Sequence, residues 1–206
     1  MELTVKEVQP KHVDDYLCFF DDVYKNDPWL NTRNNPWWGI CYCGFYDDVR
    51  TEEERNNAPD AANKNRAMRA QTILSGKAIG LLAYANGKVV GWCNTGPRRN
   101  YQNLHNLASA SNPSEPVGSI LCFVVAAPYR GKGVCTMLLN AACDKLRSDG
   151  FQIAEGYPRT LPSNTNNPYN TPVENLNYRG SLSTFLKAGF AIYQQLERHA
   201  LVRKQL

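Results

Sequence analysis

The arrangement of apolar and polar positions along the chain predicts alternating strands and helices. Residues 3–9, LTVKEVQ, alternate as in a strand with one buried face. Residues 11–25 repeat apolar side chains at the spacing of one helical face, and a second helix is predicted over Ala61–Leu74. Two apolar runs then flank Asn86 and Gly87, the pair best suited to a type I′ hairpin turn.

The second half of the chain predicts a strand, a glycine-containing loop, a helix and another strand in succession. Residues 119–127, SILCFVVAA, do not alternate and so predict a strand buried on both faces. A glycine closes the helix that follows, and residues 151–157, FQIAEGY, form the next strand. Such a crossover places its two strands side by side and parallel. A short helix ending at Gly189 and two strands, at 190–196 and 199–204, complete the pattern.

These elements predict an α/β (α+β) fold in one domain, residues 1–206. We expect a mostly antiparallel sheet with one parallel pair at its centre, flanked by helices. Irregular insertions are expected near residues 26–50, rich in Pro, Asn, Trp and Tyr, and 158–177, which has no pattern. A long irregular segment in a compact domain is usually functional or mobile.

The composition is that of an ordinary globular protein, with 43% hydrophobic and 20% charged residues. No run of 18 apolar residues occurs, so no membrane span is expected. The chain begins without the basic start and apolar centre of a secretory signal. Seven cysteines, an odd number scattered through the predicted elements, do not suggest a disulfide framework, and we expect a reduced, cytoplasmic protein.

The net charge of +4 conceals an uneven distribution. Residues 1–60 contain 13 acidic and 6 basic residues, a net charge of −7, whereas residues 61–206 contain 6 acidic and 17 basic residues, a net charge of +11. If this division survives folding, one part attracts cations and the other anions; a solvated surface with a chance imbalance is the alternative. The basic residues are dispersed and no nucleic-acid-binding motif occurs, so no nucleic acid partner is expected.

Residues 124–139, VVAAPYRGKGVCTMLL, carry the strongest chemical signal. The unpaired N–H groups and the dipole of a helix N-terminus favour an anion, and glycines let it approach the backbone. Arg130 and Lys132 add positive charge beside these donors. We therefore expect a phosphate or pyrophosphate at residues 131–136. The spacing fits neither a Walker loop nor the dinucleotide-binding fingerprint.

Two motifs resemble signatures of the GNAT superfamily of N-acetyltransferases. RGKGVC, residues 130–135, resembles the acyl-CoA loop of that family, Gln/Arg-x-x-Gly-x-Gly/Ala, with Cys135 at the small-residue position. YRGSLSTFLKAGF, residues 178–190, resembles the second signature, a helix that ends in Lys-x-Gly-Phe before a strand. The order of predicted elements agrees over nearly the whole chain. GWCNTGPR with FLKAGF is similar to a bacterial branch of the superfamily.

The resemblance implies acetyl-CoA as the co-substrate and no metal. The pantetheine arm would pair with the strand before the loop, and the pyrophosphate would lie on the loop amides. The matching positions are Phe123, Val124 and Val125 for the arm, and Arg130, Gly131, Lys132, Gly133, Val134, Cys135 and Thr136 for the pyrophosphate. The amine would attack the thioester directly, with a strand N–H stabilising the oxyanion.

A base must deprotonate the attacking ammonium, whose pKa is near 10. In several GNAT enzymes it lies on the strand after the loop helix, where Glu155 is the only carboxylate here. The structural alternative is an exposed strand end paired with Arg159 or a similar residue. Tyr157, on the same face, is the next candidate.

One position departs from the family pattern. Many GNAT enzymes have a tyrosine five residues before the phenylalanine of the Gly-Phe pair, which protonates the departing sulfur, and this chain has Phe185 there. A thiol of pKa about 8.5 leaves as thiolate near neutral pH, so activity is still expected. Tyr178 and Ser183 are substitutes for the acid, although Ser183 is equally well explained as helix surface.

The first insertion gathers aromatic rings, namely Trp37, Trp38, Tyr42, Phe45 and Tyr46. These rings and the nearby acids suit a cationic amine, or else the rings pack against the sheet or a dimer partner. Cys41 and Cys43 have no histidine at ligand spacing, so no metal site is expected. Arg98 and Arg99, after the hairpin, are expected to meet CoA phosphates or to solvate a loop end.

The leading hypothesis is an acetyl-CoA-dependent N-acetyltransferase acting on a primary amine. The acidic first sixty residues favour a cationic small molecule as acceptor. An acetyltransferase for protein N-termini or lysines is one alternative. A non-catalytic acyl-CoA-binding sensor or interaction module, favoured by Phe185, is another. No membrane partner is expected, and a homodimer is compatible with each hypothesis.

Overall fold

The computed structural model describes residues 2–27, 41–56, 60–104, 114–160 and 178–206. Expectations about Trp37, Trp38 and most of the second insertion fall outside these ranges. The helices are α1 (Val13–Asn26), α2 (Glu52–Asn56), α3 (Ala61–Leu74), α4 (Val134–Ser148) and α5 (Leu182–Lys187). The strands are β1 (Leu3–Glu7), β2 (Leu81–Ala85), β3 (Lys88–Pro97), β4 (Val117–Val125), β5 (Ile153–Gly156), β6 (Ala191–Gln195) and β7 (Ala200–Gln205). None of the helices in the described ranges is long and apolar enough to cross a membrane.

The seven strands form one sheet in the order β1-β2-β3-β4-β5-β7-β6. Within the described residues β4 and β5 are parallel, and the other neighbouring strands are antiparallel. Helix α4 connects the parallel pair, because a parallel connection needs a crossover of this length. The predicted sheet, mostly antiparallel with a parallel pair at its centre, is confirmed.

The turn between β2 and β3 is formed by Asn86 and Gly87. Both residues have positive φ, 49° and 81°. A type I′ turn requires this left-handed conformation at both central positions, and asparagine and glycine adopt it with the least strain. The hairpin is therefore confirmed at the residues that the sequence indicated.

Helices cover both faces of the sheet. On one face α1 and α3 surround Tyr16, Phe20 and Trp92, which are fully buried. On the other face α4 and α5 contribute Leu138 and Phe185, also fully buried. Burial of each such side chain contributes roughly 1.5–3 kcal/mol. These two layers hold the centre of the sheet rigidly beneath the loops that follow its strands.

Strand β4 changes its pairing halfway along. Cys93 and Thr95 of β3 pair with Phe123 and Ile120, so β4 carries one extra residue, a β-bulge. Strand β5 pairs with the first four residues of β4, whereas β4 continues to Val125. From the bulge onward, the edge of β4 that faces β5 has no strand partner within the described residues. The two parallel strands separate at this point.

Candidate active site

The glycine loop lies between the end of β4 and the first turn of α4. Gly131 and Gly133 have φ of 71° and 81°, a conformation that other residues adopt with strain. A Cβ at either position would meet no atom within 4 Å, so the backbone angle explains these glycines. The amides of residues 131–136 donate to no acceptor in the described part of the chain. They form a row of available donors at a helix N-terminus, an arrangement that binds phosphate.

The side chain of Arg130 is used inside the fold. Its Nε donates to the carbonyl of Val125 at 3.0 Å, and its Nη1 and Nη2 bind the carboxylate of Asp27, the residue after α1. Asp27 is 4% exposed. The guanidinium therefore fastens the loop to α1 and to the end of β4. The positive charge expected beside the loop amides is balanced by Asp27, so Arg130 shapes the loop while the backbone faces outward.

The remaining loop side chains differ in exposure. Lys132 and Thr136 are exposed, and the Lys132 ammonium lies 5.8 Å from the centroid of the Tyr129 ring. Burial raises the pKa of Cys135 to about 11, so its thiol is protonated at neutral pH. This supports the interpretation of Cys135 as a small residue in place of Gly or Ala.

The three β4 residues predicted to meet the pantetheine arm border the unpaired edge. Phe123 is buried and packs edge-on against Phe185, with ring centroids 6.3 Å apart. Val124 and Val125 are half-buried. All three pair with β3 on their other side. Their backbone is thus held along the edge that pairs with β3, and on the open edge the carbonyl of Val125 accepts from Nε of Arg130 at 3.0 Å.

Glu155 and Tyr157 lie side by side, as their two-residue spacing predicted. The Tyr157 hydroxyl donates to Oε1 of Glu155 at 2.6 Å and lies 2.9 Å from the hydroxyl of Ser119. Neither Glu155 nor Tyr157 is exposed. Burial and the nearby Glu155 raise the pKa of Tyr157 well above its ordinary value, so the phenol is neutral at physiological pH.

Two arginines that sequence reasoning did not connect with Glu155 hold its carboxylate. Arg203 donates through Nε to Oε2 at 2.9 Å, and Nη1 of Arg98 lies 3.4 Å from Oε1. Arg203 also binds Glu115 at 2.6 Å. The structural alternative was an exposed strand end paired with Arg159 or a similar residue; the exposure is contradicted because Glu155 is fully buried, whereas the pairing with arginines is present, through Arg98 and Arg203. The expectation that Arg98 meets CoA phosphates or solvates a loop end is also wrong, because its side chain is buried against Glu155.

Phe185 and Tyr178 occupy different environments. Phe185 is fully buried, and a Cβ at Gly156 or Gly180 would come within 2.4 or 2.9 Å of its ring. It fills the space between these glycines and has no proton to donate. Tyr178 is half-buried, and two guanidinium groups lie 5.7 and 5.9 Å from its ring centroid. Ser183 lies on the exposed surface of α5, 3.0 Å from another serine hydroxyl.

The described part of the first insertion packs into the core. Tyr42 and Tyr46 are buried in the cluster beneath α1, whereas Phe45 is 46% exposed and contacts the guanidinium of Arg55. For Tyr42 and Tyr46 the packing explanation therefore holds. Among the described residues, no group of three His, Cys, Asp or Glu side chains is placed to hold a metal ion.

Several acidic residues of the first sixty are neutralised within the fold. The ion pairs are Glu7–Lys145, Asp21–Arg66, Asp27–Arg130, Asp47–Arg69 and Asp48–Arg50. In four of these pairs the basic partner comes from residues 61–206. The contrast in charge between the two parts of the sequence is therefore reduced on the folded surface.

The central part of the chain matches a known family. A sequence model described as "Acetyltransferase (GNAT) family" matches residues 43–165, which is more than half of the chain. The chain belongs to the GNAT acetyltransferase family. Membership confirms the predicted family and enzyme class, an acetyl-CoA-dependent acyltransferase, and the matched region contains the loop motif at residues 130–135, whereas the motif at 178–190 lies beyond it. A search of curated proteins finds no match for this GNAT protein.

Solved structures share the fold of this GNAT protein. A GNAT acetyltransferase from Listeria monocytogenes 4b F2365 is 13% identical with a TM-score of 0.55, over 100% of this chain and 96% of its own. The PaiA N-acetyltransferase of Thermoplasma acidophilum, in complex with coenzyme A, is 12% identical with a TM-score of 0.53 over 100% of both chains. The yncA protein of Salmonella typhimurium, with acetyl-CoA, is 14% identical with a TM-score of 0.51, over 100% of this chain and 95% of its own.

Proposed function

We propose that this GNAT protein transfers an acetyl group from acetyl-CoA to a primary amine. The junction of β4 and α4 carries the proposal, because an unpaired strand edge leads there to available amides at a helix N-terminus. A strand edge pairs with an extended, amide-containing arm, and a helix N-terminus binds pyrophosphate. The complexes of PaiA with coenzyme A and of yncA with acetyl-CoA support this choice of ligand.

In this proposal the cofactor lies along β4 and across the glycine loop. The backbone of Phe123, Val124 and Val125 pairs with the pantetheine arm, and the amides of Gly131, Lys132, Gly133, Val134, Cys135 and Thr136 hold the pyrophosphate. The exposed Lys132 adds a positive charge, while Arg130 holds the loop in shape. An N–H of β4 beside the bulge stabilises the oxyanion, because the bulge interrupts the strand pairing there.

Tyr157 and Glu155 are proposed to remove the proton from the amine. The nitrogen gives its proton to the phenol oxygen of Tyr157 as the phenol proton passes to Oε1 of Glu155, 2.6 Å away. Arg98 and Arg203 keep the carboxylate in place during this transfer. The lone pair freed on nitrogen then attacks the thioester carbonyl, collapse of the intermediate breaks the C–S bond, and the nitrogen releases its second excess proton to water to give the neutral amide.

Tyr178 is the proposed donor of a proton to the departing sulfur, because Phe185 has none to give. Its half-buried phenol lies two residues before Gly180, which packs against Phe123 of β4. A general acid typically contributes about 10²–10⁴-fold to a rate. A thiol of pKa about 8.5 also leaves as thiolate, so this contribution is expected at the low end of that range.

The acceptor is proposed to be a small molecule that is cationic at its reacting group. A primary amine is an ammonium ion at neutral pH, and this chemistry supports the expectation. The acidic surface that suggested a cationic acceptor is reduced by internal ion pairs, so it adds little support.

A direct test supplies the purified protein with acetyl-CoA and a panel of amines and follows the free thiol. Thiol release that depends on a small amine supports the proposal. Binding of acetyl-CoA without release by any amine would favour the non-catalytic sensor. Release by peptides alone would favour acetylation of protein N-termini or lysines.

We also propose that residues 1–206 form a single domain. The sheet supports this, since its strands come from residues 3 to 205 and its centre joins the middle of the chain to both ends. A homodimer and a cytoplasmic location stay predictions from the sequence.

A further inference from the structure

Arg179 is buried without the partners that the other buried arginines have. It is 4% exposed, and its Nε and Nη1 donate to no acceptor in the part of the chain that the structure describes. Its guanidinium lies 5.7 Å from the ring centroid of Tyr178, and no carboxylate pairs with it within the described residues. By contrast, the buried Arg69 and Arg98 and the half-buried Arg203 each bind a carboxylate.

A guanidinium in this state is costly to bury. It keeps its charge at every physiological pH. Removing a charge from water is unfavourable unless hydrogen bonds and an opposite charge replace the lost hydration. The ring of Tyr178 supplies part of this replacement through its π electrons. An anionic ligand would supply the rest.

Arg179 lies beside the part of β4 where acetyl transfer is proposed. A Cβ on the next residue, Gly180, would be 3.2 Å from the ring of Phe123 on β4. Burial raises the pKa of the Tyr46 phenol, Tyr178 raises it further, and the charge of Arg179 offsets a part. A hydrogen bond joins the side chains of Tyr46 and Tyr178, and the guanidinium lies 5.7 Å from the Tyr178 ring, so two phenols and a guanidinium are close together in this region.

We infer that Arg179 binds a carboxylate of the acceptor, so that the substrates are small amino carboxylates. The inference rests on the proposed acetyl transfer and deepens it by naming the substrate class. The amine faces the thioester on β4 while the carboxylate faces the guanidinium. One positive charge matches one carboxylate, and the planar guanidinium can hold it through two parallel hydrogen bonds.

The first test compares acceptors that differ in the carboxylate alone. The wild-type protein receives acetyl-CoA with each free L-amino acid, with the carboxamide of each, and with O-phosphoethanolamine. For at least one amino acid, kcat/KM is expected to exceed that of its carboxamide by about 30-fold or more. Equal values for every amino acid and its carboxamide would overturn the inference, and so would a preference for O-phosphoethanolamine over all amino acids.

The second test changes the arginine. Arg179→Gln is expected to lower kcat/KM for the preferred amino acid by about 30-fold or more, and to leave the carboxamide rate and the KM for acetyl-CoA within about twofold. Arg179→Lys keeps the positive charge but lacks the planar guanidinium, so its kcat/KM for the preferred amino acid is expected to lie between those of the wild type and Arg179→Gln. Arg147→Gln, at an exposed arginine of α4, is the matched control. An equal loss on amino acid and carboxamide would indicate a structural role and overturn the inference.

Binding separates this inference from the proposed function. The Tm is measured with saturating CoA and each amino acid of the panel, for the wild type and for Arg179→Gln. At least one amino acid is expected to raise the Tm of the wild type alone. This measurement needs no turnover. If the protein acetylates no amine, the proposed enzymatic function is refuted, but the shift in Tm still tests whether Arg179 binds the carboxylate. An absence of any increase would overturn the inference. Without ligand, Arg179→Gln is expected to melt no lower than the wild type, because it removes a buried charge that has no carboxylate partner among the described residues.

Discussion

Two opposing effects act on the thiol of Cys135. A helix N-terminus favours a thiolate, whereas burial disfavours it. The pKa is raised to about 11, so burial has the larger effect. Cys135 therefore serves the loop through its small size and its N–H group. This is what a residue at the Gly or Ala position of the family pattern is required to do.

The rate of alkylation should report the raised pKa of the Cys135 thiol directly. At pH 8, iodoacetamide is expected to modify Cys135 at least about tenfold more slowly than the exposed Cys18, because little thiolate is present. The Cys135 rate should still rise between pH 9 and 11. Peptide mass spectrometry measures both sites in one sample. Rapid modification of Cys135 at pH 8 in the folded protein would contradict the assignment.

The phenol of Tyr157 is expected to act on the rate rather than on cofactor binding. Tyr157→Phe keeps the buried ring and removes the link to Glu155, so kcat should fall by about 10²-fold or more. The KM for acetyl-CoA should stay within about twofold, since β4 and the loop are unchanged. Steady-state kinetics from pH 6 to 9 measure both effects.

Tyr84→Phe is the matched control for this change. The Tyr84 hydroxyl also donates to a carboxylate, that of Asp15 at 2.8 Å, but it lies on β2 and away from the site. Each variant loses one such bond, worth about 1 kcal/mol of stability. A similar loss of kcat in both variants would remove Tyr157 from the mechanism.

Partners along the same strand were predictable, and partners across the sheet were not. The alternation of β5 placed Glu155 and Tyr157 on one face. The arginines that hold Glu155 lie 57 and 48 positions away in the sequence. Arg203 did carry a signal, since a charged residue that directly follows the apolar run Ala200–Val202 needs a partner when the strand is buried. Its identity depends on strand order, which no local pattern contains.

At the scale of elements, a side chain at Gly133 would fit into the space around the α4 N-terminus but would strain the backbone. Gly133→Ala introduces a Cβ with no atom within 4 Å, at φ of 81°. We expect a cost of roughly 1–2 kcal/mol in stability and a weaker affinity for acetyl-CoA, because the amides shift as the backbone relaxes. Isothermal titration and thermal denaturation measure the two effects.

Gly150→Ala provides the comparison at the other end of α4. Gly150 has φ of 87° and equally open space, so the same loss of stability is expected. The affinity for acetyl-CoA should not change, because Gly150 follows the C-terminus of the helix. Equal losses of affinity in the two variants would argue against a role of the loop amides.

Elements with a strong local pattern were predicted well. The hairpin, α3 and the crossover through α4 all follow from short stretches of sequence with a defined period or turn. The bulge in β4 was not predicted, because Leu121 and Cys122 are both apolar and the run SILCFVV shows no break in pattern. It arises from the pairing of β4 with β3. The separation of β4 from β5 likewise depends on two strands at once.

At the scale of the molecule, ion pairs make stability depend on acid pH. A hydrogen bond from Arg66 holds the pKa of Asp21 below its ordinary 3.8, and one from Arg203 holds that of Glu115 below 4.5. Folding therefore favours the ionised forms. Their contribution is present above pH 4.5 and is lost as the pH falls through the lowered pKa values.

The double variant Asp21→Asn/Glu115→Gln should reduce this dependence. Both pairs are partly exposed, so the Tm at pH 7 is expected to fall by roughly 2–4 °C. The further fall from pH 5 to pH 3 should be smaller than in the wild type. Thermal denaturation across this range is the measurement, and an unchanged pH profile would show that other carboxylates control acid unfolding.

Net charge by segment was a poor guide to the folded surface. The sequence places 13 acidic residues in the first sixty, but the fold brings arginines from later segments against several of them. Counts of charge carry no information about partners. The proposal of a cationic acceptor therefore rests on the chemistry of amines at neutral pH, and the proposed role of Arg179 adds a carboxylate to that ammonium.

The pairing of Arg130 with Asp27 has a consequence for protein engineering. These residues are 103 positions apart, so the glycine loop and the end of α1 cannot be exchanged independently between homologues. A chimera that receives this loop without an aspartate after its first helix would leave the arginine without its counterion. One that replaces α1 alone would lose the anchor of the loop. Functional chimeras should therefore take both residues from the same parent protein.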